Sequence, residues 1–217
     1  MFSPVHEAQW VLCDRLGISK ERILPLEQVS HVECKEFYFT TGPWNYGHSY
    51  LQMVREFLSN LSRSSGPIEK PRIYISRERC SHGKITNEAI LMSELARIGF
   101  EKIVPELLSF DEQVSLFRQA ECIIGAHGAG LTGLIFSSPR CRLIEIRNPT
   151  YHEDQTYQAR GGNIFWRFSV FLGFGYHAFF AEPDETPHRA PGGQVVESVR
   201  LPNLTVNVRS FMSFLRE

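Results

Sequence analysis

Three glycines, Gly125, Gly128 and Gly130, fall within six positions of the stretch Cys122–Gly133 (CIIGAHGAGLTG), and His127 stands among them. Cys122 to Gly125 reads as the end of a buried strand, and Leu131, Leu134, Ile135 and Phe136 follow at helical spacing. Glycine suits such a turn because it accepts positive φ and lets the backbone pass close to a ligand with no Cβ in the way. A helix starting there would aim unpaired N–H groups and a partial positive charge at the turn, an arrangement that commonly holds phosphate. Arg77, Arg79 and Lys84 precede the turn. With His127 they could neutralise a diphosphate, the arginines by bidentate contacts and the lysine as a point charge. Glu145 could accept hydrogen bonds from a ribose.

Plainer readings stand beside these. G-x-x-G-x-G is not the G-x-G-x-x-G dinucleotide fingerprint, and a glycine cluster between strand and helix also serves tight packing. Arg79 beside Glu78 reads as part of a solvated charge run. His127 reads equally as a capping or core histidine. Asn87 and Glu88 look like a helix start, where Asn caps and Glu suits the dipole. Glu145, between Ile144 and Ile146, is either a carboxylate facing a ligand or half of a salt bridge at a strand end. A G-x-S-x-G elbow, a G-x-x-x-x-G-K-[ST] loop, an H-E-x-x-H helix and an Asp-x-Asp pair are all missing. His152-Glu153-Asp154 lacks a second ligand at metal spacing, so a metal-free site is expected.

The elements that must position these residues become regular from Pro71 onward. Strands are expected over Arg72–Ser76, Lys102–Pro105, Cys122–Ala126 and Arg142–Arg147. Between them lie helices over Thr86–Ile98, with Ile90, Leu91, Leu95 and Ile98 inward, from Ser109, and from the glycine turn to Phe136. Ser109 with Glu112 forms a capping-box pattern. Strands separated by helices of this length specify an α/β domain, a doubly wound parallel sheet covered on both faces. Ligands of such sheets sit beyond the carboxyl ends of the strands, where Ser76, Arg77, His127 and the run Glu145–Asn148 would converge.

Ahead of this region, helices are expected over Ala8–Leu16 and His48–Leu61, a strand within Val29–Thr41 and a linker over Ser62–Pro71. Behind it, a helix Ile164–Leu172, a strand Tyr176–Ala181, a loop Pro183–Gly193, a strand Gln194–Leu201 and a helix Asn203–Leu215 are expected. The aromatic-rich window Ile164–Ala181 is interrupted by Arg167, Gly173, Gly175 and His177, which argues for buried core over a membrane span.

The 217 residues are ample for a sizeable core, and a net charge of −1 gives no broad electrostatic footprint for nucleic acid. Five cysteines without a C-x-x-C pair fit reduced thiols, and no leader pattern opens the chain. A cytoplasmic location is the expectation, with membrane association left open.

Taken in order, Arg77, Asn87-Glu88, Gly99-Phe100, Glu112-Gln113, His127-Gly128-Ala129-Gly130-Leu131-Thr132 and Glu145 resemble the family 61 glycosyltransferases. That family includes EGF-domain GlcNAc transferases, plant xylan-decorating transferases and bacterial capsular polysaccharide proteins. The resemblance covers Arg72–Asn148 best. It implies a GT-B architecture, of which residues 67–217 would be the C-terminal, Rossmann-like nucleotide-sugar-binding domain and 1–66 an N-terminal remnant or inter-domain region. By position it implies that His127 to Thr132, with Arg77 and Lys84, hold the donor diphosphate. Asn87, Glu88 and Glu145 match positions with a structural or donor-binding role. Gly133 stands where Asn is usual, and Lys84 where Arg is usual.

The implied activity is inverting, metal-independent transfer of a sugar from a nucleotide-sugar, a UDP-sugar first, to a hydroxyl of a glycan or protein acceptor, with no cofactor. The rival is a non-catalytic nucleotide-sugar-binding module, or a donor half that needs a partner chain. Only about seventy residues precede the end of the linker, fewer than a complete nucleotide-binding-type domain needs, which favours an additional N-terminal domain or partner chain completing the cleft. The general base is unassigned.

Overall fold

A computed structural model of the chain describes residues 7–23, 33, 35–36, 48–63, 71–149, 163–184 and 202–216. Five strands, β1 (Arg72–Ile75), β2 (Glu101–Ile103), β3 (Cys122–Ala126), β4 (Arg142–Arg147) and β5 (Gly175–Phe180), form one parallel sheet in the order β2-β1-β3-β4-β5. Apolar residues occupy successive positions of the central strands, as burial on both faces requires. Ile73, Ile75, Ile123 and Leu143 turn to one face, and Tyr74, Ile124, Ile144 and Ile146 to the other.

The first face is covered by α2 (His48–Leu61), by α4 (Phe110–Gln119), by a 3-10 helix (Ala129–Phe136) and by α5 (Ile164–Leu172). Leu51, Val54 and Leu58 of α2 join this core, so residues placed by composition ahead of the linker pack directly on the sheet domain. The second face is covered by α3 (Glu88–Arg97) and α6 (Val208–Phe214). Helix α1 (Glu7–Arg15) ends at Gly17, in the left-handed region at φ 68°, and docks through Arg15, whose two Nη atoms grip Asp111 of α4 at 2.6 and 2.5 Å. The Ser109–Glu112 capping box starts α4 as its sequence pattern specifies, a device worth about 1 kcal/mol.

Three expectations shift. In α3 it is Leu91 and Leu95, an i, i+4 pair, that reach the sheet, whereas Ile90, about a hundred degrees around the helix from Leu91, and Ile98, the C-cap beyond the last turn, are exposed. The segment after the glycine turn is a 3-10 helix and not an α-helix. In that tighter winding Leu131 and Leu134, three apart, stack on one side, and both are fully buried. The last helix begins at Val208, not Asn203, because residues 203–206 are taken up in pairing. Leu204–Thr205 (β7) lies antiparallel to Glu182–Pro183 (β6), and Asn207 caps α6 by accepting from the Ser210 N–H at 3.1 Å.

Helix α5 buries Phe165, Phe168 and Leu172 and exposes Trp166 and Val170, and β5 is an edge strand whose Phe179 packs edge-on against Phe211. Among the described residues no helix is long and apolar enough to cross a membrane. Cys13, Cys80, Cys122 and Cys141 are free thiols. Burial pushes the Cys141 thiol up to about 12. The strand expected within 29–41, centred on Phe37–Phe39, most of the linker, most of the loop 183–193 and the strand 194–201 lie outside the described residues.

Candidate functional site

After β1 the chain runs outward to β2 and returns to β3 on the other side of β1. This reversal opens a crevice beyond the carboxyl ends of β1 and β3, the place where open α/β sheets bind ligands. Arg77 leaves the end of β1, and His127 and Gly128 leave the end of β3. The topology therefore brings together three residues that sequence order separates by fifty positions.

Arg77 is only 7 % exposed. Its Nε donates to the Gly83 carbonyl at 2.9 Å and Nη2 to the His82 carbonyl at 3.1 Å. Its guanidinium packs against Gly128, where a Cβ would stand 1.8 Å from Nη1, and Gly128 has φ 153°. Both the contact and the backbone angle demand glycine there. Among the described residues no carboxylate forms a salt bridge with Arg77. A buried cation held only by carbonyl dipoles leaves a net positive charge at the switch point. Cys80 lies in the same loop, where burial raises its thiol and Arg77 works against that rise.

The other glycines of the motif serve packing. A Cβ on Gly125 would fall 2.9 Å from Leu131 Cδ2, and one on Gly130 would fall 3.1 Å from Ile75 Cγ2. Gly133, where the resemblance expects Asn, lies under the Phe117 ring, and a Cβ there would come within 2.2 Å of it. Of the remaining motif residues, Leu131 is core, whereas Ala129 and Thr132 are exposed at the mouth of the turn.

His127 backs onto β4. Its N–H donates to the Ile146 carbonyl at 3.0 Å, its Nδ1 bonds Glu145 Oε1, and its ring meets Phe165 edge-on at 5.3 Å. Glu145 is fully buried. Its second oxygen accepts from the Tyr176 hydroxyl at 2.6 Å, and Arg147 Nη1 donates to that hydroxyl at 3.2 Å and stands 3.8 Å from the carboxylate. Burial first, and the Glu145 charge second, push the Tyr176 phenol well up, so it stays a donor. Glu145 thus turns inward to His127 and Tyr176, and its full burial leaves no exposed surface to meet a ribose. Tyr176 was not legible as a partner, because only the pairing of β4 with β5 brings it there. Arg147 shares a face with Glu145 by its spacing of two, a signal present in the sequence.

Lys84 and Asn87 hold the C-terminal segment. The Lys84 N–H donates to Asn203 Oδ1 at 3.0 Å, and the Lys84 carbonyl accepts from Leu204 at 2.8 Å. Asn87 stands at the N-cap position of α3 but makes no capping bond. Its amide instead donates to the Val206 carbonyl at 2.8 Å and accepts from the Val206 N–H at 3.1 Å. Glu88 accepts from the Ser76 hydroxyl at 2.9 Å and pairs with Lys102 at 2.7 Å. These bonds fix the loop whose carbonyls at 82 and 83 cradle Arg77.

The chain is an α/β protein, a parallel sheet covered on both faces with a buried arginine and a glycine turn at its switch point. The sequence profile described as Glycosyltransferase 61 matches residues 3–144, and the chain belongs to that family. The match runs through α1, α2 and the first three strands and ends within β4, one residue before Glu145. The chain is also 34 % identical over 86 residues to the EGF domain-specific O-linked N-acetylglucosamine transferase of Drosophila melanogaster. That alignment covers 38 % of this chain and 16 % of the relative's length.

Proposed function

We propose that the crevice between the carboxyl ends of β1 and β3 binds the diphosphate of a nucleotide-sugar donor, and that the chain serves transfer of the sugar to a hydroxyl of a glycan or protein acceptor. The observation that carries this reading is Arg77, buried against Gly128 with no carboxylate partner among the described residues. Its charge, the backbone N–H groups of the turn and His127 are aimed at the place where negative charge grows as the bond from the anomeric carbon to the diphosphate oxygen breaks. The acceptor oxygen forms the new bond from the opposite face, which inverts the anomeric configuration, and its proton passes to a base that we do not assign to this chain. Inversion without a metal, and a second domain facing the crevice as in GT-B enzymes, enter from the family resemblance. The name of the fly relative makes UDP-N-acetylglucosamine the first donor to try.

Calorimetry with UDP and UDP-N-acetylglucosamine tests the reading. Saturable binding that weakens in Arg77→Ala supports it, and absence of binding to any nucleotide or nucleotide-sugar sinks it. Release of UDP in the presence of an acceptor then separates an enzyme from a binding module.

A further inference from the structure

The loop that holds Arg77 has little core of its own. Over residues 77–83 only Arg77 and Gly83 are buried, while Glu78, Arg79 and Ser81 are exposed. Apolar burial cannot keep such a stretch in one shape, so its hydrogen bonds must. The loop closes on its own arginine. Gly83, at φ 69°, turns its carbonyl to Arg77 Nε, and a Cβ there would stand 3.1 Å from Nη2. From Lys84 onward the loop is stitched to residues 203–206, which lie outside the family match. Asn203 Oδ1 accepts from the Lys84 N–H at 3.0 Å, the Leu204 N–H donates to the Lys84 carbonyl at 2.8 Å, and the Thr86 N–H donates to the Leu204 carbonyl at 2.9 Å. The Asn87 amide completes the seam by meeting both the carbonyl and the N–H of Val206. Leu204 and Val206 are buried in the core of the second sheet face, so the segment is itself anchored.

We infer that Asn87 is a positioning residue for Arg77: by locking residues 84–87 onto the segment 203–206, it holds the His82 and Gly83 carbonyls where they orient the guanidinium at the crevice. The inference rests on reading that crevice as a diphosphate site. A guanidinium carries its five N–H donors in one rigid plane. Arg77 spends Nε and one N–H of Nη2 on the two carbonyls, and its Nη1 makes no hydrogen bond among the described residues. Fixing the first pair of donors therefore fixes where the others point. Donors held in place beforehand lose less freedom when an anion arrives, which raises affinity without adding a contact. Asn87 is thus tied to the anion through the loop and touches no part of it.

The test joins nitrogen-15 spectra of the arginine side chains to calorimetry with UDP, both well below the melting temperature. The Arg77 Nε–H signal is identified by its loss in Arg77→Ala. In Asn87→Ala it should exchange with water about tenfold faster than in the wild type, since the carbonyl that protects it is no longer held. UDP affinity should fall about fivefold, and Asn87→Ala should add nothing in the Arg77→Ala background. Asn207→Ala is the control, because Asn207 caps α6 next to the same segment. It should lower the melting temperature by a similar amount and leave both the Arg77 signal and UDP affinity unchanged. Should Asn87→Ala fail to fold, Asn203→Ala carries the test with the same direction. An Arg77 signal that exchanges as in the wild type, or equal losses of affinity from Asn207→Ala and Asn87→Ala, overturns the inference while leaving the diphosphate site standing. Failure of the wild type to bind UDP, or full affinity in Arg77→Ala, overturns the underlying reading instead.

Discussion

Two buried arginines stand at the carboxyl edge of the same sheet and are kept by opposite means. Arg147, at the end of β4, is 4 % exposed and lies 3.8 Å from the buried Glu145 carboxylate while donating to Tyr176. Arg77, past the end of β1, is nearly as buried but rests on two backbone carbonyls with no carboxylate pairing among the described residues. A cation balanced inside the protein is structural, because its charge is spent where it sits. A cation left unbalanced at a crevice costs folding free energy that an incoming anion can recover. Burial alone therefore does not separate scaffold from site, whereas the charge balance around each arginine does.

The largest effect expected from breaking this contrast is on stability. Arg147→Ala strands the Glu145 carboxylate without its nearest cation, and urea unfolding should show a loss of about 3 kcal/mol. The affinity of the folded fraction for UDP should change far less. Arg77→Ala should do the reverse. UDP affinity should fall by about 2 kcal/mol, roughly thirtyfold, while the melting temperature holds or rises because an unbalanced charge has been removed. If both variants lost stability and neither lost affinity, the contrast between the arginines would be void. Gly128→Ala sharpens it further. The new Cβ must displace the guanidinium it would overlap, so UDP affinity should drop about tenfold, and the double variant with Arg77→Ala should be little worse than Arg77→Ala alone.

How much of this could be seen beforehand follows from how local each signal is. The strands β1, β3 and β4 and the capping box of α4 rest on runs of a few residues, and they fall where periodicity and side-chain chemistry place them. The candidate site was legible as a neighbourhood, since Arg77 and His127 follow the ends of β1 and β3 and Glu145 lies in the adjacent β4. What each does was not. Gly125 and Gly130 look the same in sequence as Gly128, and only the packing of Leu131, Ile75 and Arg77 against them separates contact from clearance. Asn87 has the look of a helix cap, yet its amide is spent on Val206, 119 residues away, and no local rule foresees that pairing. The same long-range pairing starts α6 late, and the β4–β5 register brings Tyr176 to Glu145.

A third arginine tests the charge-balance argument away from the crevice and should give the smallest effect. Arg15 of α1 meets Asp111 through two hydrogen bonds, with the side chains 12 % and 17 % exposed, and the Arg63 N–H donates to the same carboxylate at 2.7 Å. The Arg15 bonds, more than any other cause, hold the Asp111 carboxyl below its usual range, and partial burial opposes them. A depressed folded value means that the unfolded chain binds a proton first as pH falls. The stabilisation is therefore complete above the ordinary Asp value of about 4 and is lost as pH drops through the lower folded value. Asp111→Asn should cost about 1 kcal/mol at pH 7 in urea unfolding, as befits a paired group near the rim. The gap between wild type and variant should narrow as pH falls below the ordinary Asp value and close only below the lowered folded value, where the wild-type carboxyl is also neutral. A gap that stays constant from pH 7 to pH 3 would mean that the charge of Asp111 contributes nothing. Arg15 would then be held, like Arg77, by its contacts with neutral acceptors, among them the Leu61 carbonyl at 2.8 Å.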